Sequence, residues 1–400
     1  MAEWKEVRLG DVACTNKRTY SPKEGWEFVN YLDTSNITRN RINEVQHIIT
    51  SIDKLPSRAR RKVCLNSIVY STVRPNQLHY GIIKKQPDNF LVSTGFTVID
   101  VDSDKANPDF IYYVLTRTDI TERLQAIAEQ SVSAYPSIKP SDIENLIFEL
   151  PDKNTQEKIV SILGSIDRKI EANLAINDNL QQQAQALFKL WFVEHSPFDS
   201  VEPKEWKNVN LEDITSLISR GIAPKYSDGS AQMVINQKCI RNHMIDLSLA
   251  RAHTPKAINE KWLRFGDLLI NSTGDGTLGR TAQVWFQPQN LTVDSHVTIV
   301  RPIKENLIFY IGLWGILHER EIESLHTGST GQTELPRERV KALELLLPDD
   351  ETLDRFNTLV APMTDAIVSN QEESNRLAAL RNVLLPKLMS GEIDVTDIQI

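Results

Sequence analysis

Cysteine is scarce in this chain of 400 residues, and the sequence has no long apolar run. The three cysteines, Cys14, Cys64 and Cys239, lie far apart and form no C-x-x-C pair. This spacing indicates neither a zinc site nor a disulfide framework, and it favours a reducing, cytoplasmic setting. No apolar run approaches the roughly 18 residues of a membrane span. The charged start MAEWKEVRLGD lacks the apolar stretch of a secretory signal, so we expect a cytoplasmic protein without a membrane segment.

The motifs of common catalytic sites are also missing. The chain has neither an H-E-x-x-H sequence nor the Asn-Pro-Pro-aromatic motif of amino-methyltransferases. Its histidines show no metal-ligand spacing: His79, His243, His253, His296 and His318 are scattered. We therefore predict no catalytic residue, no bound metal and no cofactor.

One stretch, STGDGTLGRT, comes close to a phosphate-binding loop. Gly274 and Gly279 have the spacing of G-x-x-x-x-G-K-[ST], but Arg280 stands where that pattern has lysine. A phosphate loop follows a strand and opens a helix, whose N-terminus binds the phosphate. The preceding RFGDLLINST is strand-like, but the following TAQVWFQPQ is strand-like as well. We predict a hairpin loop, and an NTP-dependent enzyme using residues 274–281 is kept as an alternative hypothesis.

The net charge of −8 is distributed unevenly. Residues 1–150 and 201–348 each contain as many basic as acidic residues, so residues 151–200 and 349–400 carry the whole excess of acid. Each neutral block can have a basic face that meets nucleic acid. The acidic segments predict either solvated helix faces or docking surfaces for another subunit.

The chain is a repeat of two units. The stretch LPDKNTQEKIVSILGSIDRKI from Leu150 matches LPDDETLDRFNTLVAPMTDAI from Leu347 without a gap. WKEVRLGDV from Trp4 similarly matches WKNVNLEDI from Trp206, although the neutral blocks match more weakly. The repeat predicts four segments and an internal pseudo-twofold axis. The segments are a first block at 1–149, a long helix at 150–196, a second block at 197–346 and a second long helix with the C-terminal tail at 347–400.

The two acidic segments have the seam of a coiled coil. Apolar positions recur in alternating steps of four and three, from Ile159 to Trp191 and again from Phe356 to Leu388. Helices of this length do not stand alone in water, so we expect them to pair as an antiparallel coiled coil. Asn173 and Asn370 occupy the same seam position in both helices. They either set the register as buried polar residues or face solvent at a break in the seam.

Proline 362 lies inside the second helical pattern and predicts a kink or a late helix start. The neutral blocks mix short β-rich runs, such as residues 90–101 and 291–302, with helical stretches at 108–128 and 305–325. The predicted fold class is therefore α+β, with two duplicated α/β domains joined by two long helices.

The glycine-rich loop has a counterpart in the first block. STVRPNQLHYGIIKK (residues 71–85) occupies the same place but has different content. A loop that varies on a constant scaffold is typical of a recognition surface, although a plain surface turn is the alternative. Arg, Asn, Gln, Ser and Thr side chains suit base edges. The candidate DNA-binding residues of these two loops are Thr72, Arg74, Asn76, Gln77, His79, Tyr80, Lys84, Ser272, Thr273, Thr277 and Arg280.

Three further segments are candidates for phosphate contact. Two loops at 129–143 and 326–340 precede the long helices, and the second contributes Thr330 and Gln332. These loops alternatively just start a short helix. The run SRARRK at 57–62 is the densest basic patch and contributes Arg58, Arg60 and Arg61, with a solvated face as the alternative.

The duplicated block-and-helix plan resembles the specificity subunits of Type I restriction–modification systems over essentially the whole chain. The helix sequence ending in LFKLWF, the stretch GSTGQTELPRERVKALELLLP and the terminal LLPKLMSGEIDV are typical of that family. The resemblance implies two target recognition domains that each read one half of a split duplex DNA site. It also implies a helical spacer that binds two methyltransferase (M) subunits, two endonuclease/translocase (R) subunits joined through them, and no catalytic activity of its own. A coiled-coil scaffold between protein partners is the other alternative.

Overall fold

The computed structural model describes residues 4–131, 136–274, 276–328, 333–396 and 398. The chain divides into two units. Unit 1 comprises residues 1–170 and 375–400, and unit 2 comprises residues 171–374. Each unit therefore combines one of the neutral blocks with a part of both long helices.

Unit 1 begins with a block of short strands and helices. Its described strands are β1 (Lys5–Arg8), β2 (Ala13–Thr15), β3 (Phe28–Leu32), β4 (Ile37–Thr38), β5 (Arg41–Ile42), β6 (Gln46–Ile49), β7 (Ala59–Lys62), β8 (Ile68–Ser71), β9 (Tyr80–Ile82), β10 (Phe90–Ser93), β11 (Phe96–Val101) and β12 (Ile147–Leu150). Its described helices are α1 (Leu9–Val12), α2 (Pro108–Leu115), α3 (Thr118–Glu129), α4 (Pro140–Glu144) and the first part of α5 (Lys153–Phe192).

The strands of unit 1 form two four-stranded sheets. One has the order β6-β3-β10-β7 and the other has the order β2-β11-β8-β9. The β3–β10 pair is parallel, whereas the remaining pairs are antiparallel. Strands β1 and β12 pair separately, so the beginning of the block lies beside its end.

Unit 2 repeats this succession of elements. Its described strands are β13 (Lys207–Asn210), β14 (Thr215–Arg220), β15 (Met233–Ile235), β16 (Ile240–Arg241), β17 (Met244–Ile245), β18 (Arg251–Ala252), β19 (Leu268–Asn271), β20 (Thr281–Gln283), β21 (Leu291–Val293), β22 (Val297–Pro302) and β23 (Glu344–Leu347). Its described helices are the second part of α5, α6 (Ile308–Leu317), α7 (Glu319–Ser324), α8 (Arg337–Lys341) and most of α9 (Asp350–Met389), whose end belongs to unit 1.

The sheets of unit 2 correspond to those of unit 1. One has the order β14-β22-β19-β20 and the other has the order β18-β15-β21, with β15 and β21 parallel. The outer pair β13–β23 matches β1–β12. In the described part of unit 2, no strand corresponds to β7. The sequence repeat is therefore a repeat of topology, and the predicted α+β class with long paired helices is confirmed.

A small hairpin recurs in both units. Strands β4 and β5 pair across a turn at Arg39 and Asn40, and β16 and β17 pair across a turn at Asn242 and His243. All four turn residues have positive φ, between 47° and 68°. Two left-handed residues between short strands match the twist of a two-residue hairpin. The sequence comparison did not align these two segments, because they share little beyond an Arg-Asn pair.

Each long helix begins at an aspartate of the repeated Leu-Pro-Asp string. Asp152 precedes α5 and accepts hydrogen bonds from the backbone nitrogen of Thr155 at 3.0 Å and from its hydroxyl at 2.8 Å. Asp349 makes the same two bonds to Thr352 ahead of α9, at 2.9 and 2.8 Å. These bonds satisfy backbone donors that a helix start leaves open, which explains why the string recurs.

Both long helices have 40 residues. Helix α9 continues through Pro362 without interruption, so the predicted late start is wrong. A proline inside a helix costs about 3 kcal/mol, but the flanking seam residues Phe356, Val360 and Ile367 are fully buried. Their packing offsets the lost hydrogen bond. The helical stretches predicted at 108–128 and 305–325 each contain two helices, which are divided at Thr116 and at His318.

Each unit has its own main core in which seam residues of the long helices take part. In unit 1, Ile159 and Leu163 of α5 and Leu388 of α9 join the buried residues of the block. In unit 2, an aromatic cluster joins the helices to the block. Its members are Phe188, Trp191, Phe192, Trp206, Tyr310 and Phe356. None of the helices in the described part of the chain has the length and apolar character of a membrane span.

Candidate nucleic-acid interface

The first candidate loop, which we call the Arg74 loop (residues 72–79), connects the antiparallel strands β8 and β9. A short 3₁₀ turn at Pro75–Gln77 fills it, and the flanking Arg74 and Leu78 have φ values of 48° and 59°. Left-handed backbone is uncommon for residues of this kind and is often found at functional sites. Arg74, Asn76 and Gln77 are exposed at the tip, so three of the predicted contacts face outward together.

Other predicted residues of this region are engaged inside the block. Thr72 donates its hydroxyl to the Gly95 carbonyl at 2.9 Å. His79 Nδ1 lies 2.6 Å from the Ile37 carbonyl. Tyr80 is 6% exposed and stacks on Tyr70, with ring centroids 5.6 Å apart. These three side chains therefore hold the base of the loop to the block. Tyr80 is buried, so it does not belong to the proposed contact surface.

Lysine 84 lies beyond the hairpin on an exposed segment. Its ammonium group donates to Asn66 Oδ1 at 2.8 Å and to Asp109 Oδ2 at 2.7 Å. An ion pair of this exposure contributes little to stability. Lys84 therefore already has two partners within unit 1, and a phosphate would have to compete with them.

The glycine loop (residues 272–280) connects β19 and β20 at the corresponding place of unit 2. The chain leaves it into a strand, so the helix that a phosphate cradle requires is absent at this described position. Arg280 Nη2 donates to the Gly276 carbonyl at 2.8 Å across the loop. Thr277 lies within the loop as well, with Oγ1 3.3 Å from the Gly274 carbonyl. Arg280 thus braces the loop instead of pointing freely away from it.

The entry of the glycine loop is tied to neighbouring strands. Ser272 is fully buried, and its hydroxyl lies 2.6 Å from Thr298 Oγ1. Thr273 Oγ1 lies 2.7 Å from His296 Nδ1 and 3.2 Å from Gln237 Oε1. Ser272 therefore supports the loop, whereas Thr273, Thr277 and Arg280 are partly exposed.

The structure joins the second pair of candidate loops to the first pair. In unit 1, the backbone nitrogen of Ile138 donates to the Thr72 carbonyl at 2.9 Å. In unit 2, the backbone nitrogen of Leu335 donates to the Ser272 carbonyl at 2.8 Å. The segments that sequence reasoning treated separately are thus joined by a backbone hydrogen bond in each unit. The predicted contacts Thr330 and Gln332 lie outside the described residues.

The basic run at 57–62 contains strand β7, at the edge of its sheet. Arg58 is exposed, whereas Arg60 and Arg61 are partly buried. Arg60 Nη1 and Arg61 Nε have no hydrogen-bond partner among the described residues. Burial lowers the pKa of Arg61. Lys62 pairs with Glu24 Oε2 at 2.5 Å and lies 5.1 Å from the Trp26 ring centre. The unsatisfied guanidinium nitrogens make this edge a candidate for binding an anion.

The seam asparagines lie in the interior of the helix pair of unit 2. Asn173 is fully buried, and its Nδ2 donates to Glu373 Oε2 at 2.8 Å. Asn370 Nδ2 donates to Asn177 Oδ1 at 2.8 Å, and Asn177 Nδ2 donates to the Ile367 carbonyl at 3.2 Å. Asn173 of α5 thus contacts Glu373 of α9, whereas the later Asn177 contacts the earlier Ile367. The two helices therefore run antiparallel, as expected. The side chain of Asn370 bonds Asn177, whereas the side chain of Asn173 reaches the backbone carbonyl of Asn370 at 3.3 Å, so the two predicted residues meet without a bond between their side chains.

A second polar contact between the helices lies in unit 1. Arg381 Nη1 lies 2.8 Å from Asp167 Oδ1, and the Tyr113 hydroxyl donates to Asp167 Oδ2 at 2.7 Å. Burial and the Asp167 carboxylate raise the pKa of Tyr113. Sequence reasoning placed Arg381 in the seam without a partner. The seam pattern contained Arg381 but not Asp167. The two residues are so far apart in the sequence that no local motif predicts their contact.

Comparison with known proteins agrees with this architecture. Residues 1–182 match the family model described as Type I restriction modification DNA specificity domain. The specificity subunit of the Type I restriction enzyme HindI from Haemophilus influenzae is 24% identical, and the alignment covers 98% of this chain and 100% of that protein. The specificity subunit of the Type I enzyme MjaIX from Methanocaldococcus jannaschii is 26% identical, with 80% and 76% covered.

A solved structure supports the fold over nearly the whole chain. The S subunit of a Type I restriction–modification system from M. genitalium superposes with a TM-score of 0.55 at 14% identity, covering 97% of this chain and 96% of that one. The likeness to that S subunit concerns the fold, with its duplicated blocks and paired long helices. Over residues 1–182 by the family model, and over most of the chain by the relatives, this chain is similar to the specificity subunits of Type I restriction–modification systems.

Proposed function

We propose that this chain sets the target of its restriction–modification complex by reading a split duplex DNA site, one half with each block. The observation that carries the proposal is the pair of hairpin loops. They leave equivalent strands, are tied at their base to equivalent second loops, and yet differ in length and residue type. A scaffold that is kept while its loops vary is suited to reading two different sequences.

The first half-site would be read by the Arg74 loop. Arginine suits the guanine edge, and Asn and Gln suit adenine, so the exposed Arg74, Asn76 and Gln77 offer a set of base contacts. Arg58 is also exposed and suits a phosphate contact. In unit 2, the partly exposed Thr273, Thr277 and Arg280 occupy the corresponding loop. Because the loops differ, the two half-sites should differ as well.

The long helices would space the two blocks and bind the methyltransferase subunits. Their segments carry the acidic excess of the chain, and some large apolar side chains on them face outward: Ile176, Leu359, Leu380 and Val383. An apolar patch that is rimmed by polar residues marks an interaction site, and we propose that these side chains contribute to one. We propose two methyltransferase subunits there and two endonuclease subunits joined through them.

The chain itself would contribute binding and no chemistry. The part of the chain that the structure describes holds no cluster of three or more His, Cys, Asp or Glu side chains suited to a metal ion. The glycine loop leads into strand β20, which weighs against the NTP-dependent alternative. Calorimetry with ATP and GTP tests that alternative directly, because binding heat that is lost in Arg280→Ala would support it.

A block exchange tests the proposed function. Residues 1–149 are replaced by the first block of another specificity subunit, and the methylated sites of the host genome are sequenced. The half of the split motif that the exchanged block reads should change. The other half should stay the same, because the second block is unchanged. A change in both halves, or in neither, would contradict the modular reading. A footprint of the assembled complex without DNA protection would favour the scaffold alternative.

A further inference from the structure

The carboxylate of Glu319, the first residue of α7, lies directly behind the glycine loop. Its Oε1 accepts a hydrogen bond from the backbone nitrogen of Thr281 at 2.5 Å and from the Thr281 hydroxyl at 3.0 Å. Thr281 is fully buried and is the first residue after the loop. The Nδ1 atom of His243 lies 3.2 Å from the same oxygen. One carboxylate oxygen thus binds the loop exit and lies close to the turn of the β16–β17 hairpin, although His243 Nδ1 makes no hydrogen bond among the described residues.

The environment of Glu319 keeps this carboxylate charged. Burial alone would raise its pKa, but the contacts from His243 and from Thr281 outweigh burial and lower the pKa. Hydrogen bonds to a charged acceptor are roughly twice as strong as bonds between neutral groups. Glu319 is therefore a firm attachment point for the loop exit at neutral pH.

The same helix also touches the loop through a glycine. Gly279 has a φ of 83°, and a Cβ atom built there would lie 2.8 Å from the Cβ of Glu323. Only glycine permits both this backbone conformation and this close approach. The loop therefore rests on α7 at two points, Gly279 against Glu323 and Thr281 against Glu319.

The entry of the loop is held by neutral groups instead. Asn271 Nδ2 donates to the Gln237 carbonyl at 3.1 Å, and Thr273 Oγ1 lies 3.2 Å from Gln237 Oε1. The charged contact of Glu319 at the exit is thus the stronger of the two attachments. Losing it would detach the exit from α7, and the exit would then be held by its backbone pairing with β19, which joins Thr281 to Ile270.

The hairpin that carries His243 is itself attached to a long helix. Gln181 Nε2 of α5 lies 2.6 Å from Met244 Sδ, and both residues belong to unit 2. The hairpin beside Glu319 thus contacts α5, whereas the hydrogen bonds that hold the glycine loop to Glu319 come from Thr281.

We propose that Glu319 is a positioning residue of the second recognition domain. In this proposal it contacts no base, and through its hydrogen bonds from Thr281 it holds the glycine loop in the conformation that reads the second half-site. This inference rests on the proposed function of the loop. It predicts that removing the negative charge relaxes the choice of bases in the second half-site and leaves the first half-site unaffected.

The experiment uses Glu319→Gln and Thr281→Val in the full chain, assembled with its methyltransferase subunits in the host. Sequencing of methylated sites reports the discrimination in each half of the target. Glu319→Gln should lower the discrimination in the second half about tenfold, and Thr281→Val should lower it less, because the backbone bond to Glu319 remains. The first half is an internal reference, since both halves are read by one complex.

Glu321→Gln is the matched control, because Glu321 is an exposed carboxylate on the same short helix. It should leave both halves unchanged. Thermal unfolding of each purified chain accompanies the sequencing. Unchanged discrimination in a folded Glu319→Gln protein would overturn the inference, as would equal relaxation of both halves. Loss of folded protein in both test variants would also overturn it, because Glu319 would then be a stabilising residue only.

A fourth chain separates the inference from the proposed function. In it, residues 276–280 are replaced by glycine and serine. If this exchange alters the second half-site and Glu319→Gln does not, the loop reads DNA but Glu319 does not position it. If the exchange alters nothing, the reading function of the loop is wrong, and the inference about Glu319 is wrong with it.

Discussion

The side-chain amide of Asn370 donates a hydrogen bond to Asn177 Oδ1 at 2.8 Å, in the middle of the seam between the two long helices. Leucine at position 370 would leave the Asn177 oxygen without this donor in a buried seam. We expect Asn370→Leu to lower the free energy of unfolding by about 1–3 kcal/mol.

The double variant Asn177→Leu with Asn370→Leu should recover that loss, because an apolar seam needs no donor. Urea unfolding of the two single variants and the double variant measures the coupling between the residues. Additive effects would show that the hydrogen bond does not join them. Ser369→Ala, at an exposed position of the same helix, serves as the control.

The Asp167–Arg381 pair can be compared with its counterpart in the other copy. The equivalent positions are Thr364 and Ala184, and both are buried without a charge. Arg381→Ala should cost about 1–3 kcal/mol, because the partly buried Asp167 loses its cation. The double variant Asp167→Thr with Arg381→Ala carries the residues of the other copy and should be more stable than Arg381→Ala alone. Thermal unfolding checks both values, and a double variant less stable than the single one would contradict the interpretation.

The cap of the first long helix predicts a pH dependence. Hydrogen bonds from the backbone nitrogen and hydroxyl of Thr155 lower the pKa of Asp152. A carboxylate with a lowered pKa in the folded state stabilises the protein above its unfolded pKa of about 3.9. That contribution is lost as the pH falls through the folded value.

Asp152→Asn should therefore keep most of the stability at pH 7, because asparagine also caps helices, but it should flatten the dependence below about pH 4. Asp152→Ala should lose about 1 kcal/mol at pH 7. Chemical unfolding at pH 7 and at acidic pH measures both. Identical acid profiles for the wild type and Asp152→Asn would show that the cap does not titrate as expected.

Two arginines of unit 1 distinguish base contact from phosphate contact. If Arg74 contacts a base, Arg74→Ala should lose about 1–3 kcal/mol of discrimination at one position of the first half-site. Arg58→Ala should weaken binding to all sequences alike and lower the slope of log affinity against log salt by about one. Binding of the assembled complex to matched and altered duplexes at several salt concentrations measures both. If Arg74→Ala weakens all duplexes equally, Arg74 is a phosphate contact.

The features that sequence reasoning predicted well depend on neighbours in the chain. The Leu-Pro-Asp string recurs because Asp152 and Asp349 each bond a threonine three residues later, which is a local interaction. The seam of the long helices follows from the period of the helix itself. The hairpin position of the glycine loop followed from strand-like residues on both sides of it.

The features that it did not predict join residues far apart in the chain. Glu319 meets Thr281 and His243, and Arg381 meets Asp167, across long separations and without a shared motif. In each unit, the hairpin loop and the loop that precedes the long helix are joined by a backbone hydrogen bond, which cannot be predicted from a pattern of side chains. Helix α9 passes through Pro362 because distant packing partners outweigh a local preference.

The sequence by itself determined the duplication, the order of blocks and helices, and the loops that differ between the copies. Repeats and helical periods can be recognised from the order of residues along the chain. Only the tertiary structure decided which candidate residues face outward. Arg74 and Gln77 are exposed, whereas Tyr80 and Ser272 are buried. Burial and hydrogen bonding depend on the packed block, because the strands and helices that surround a side chain come from distant parts of the sequence.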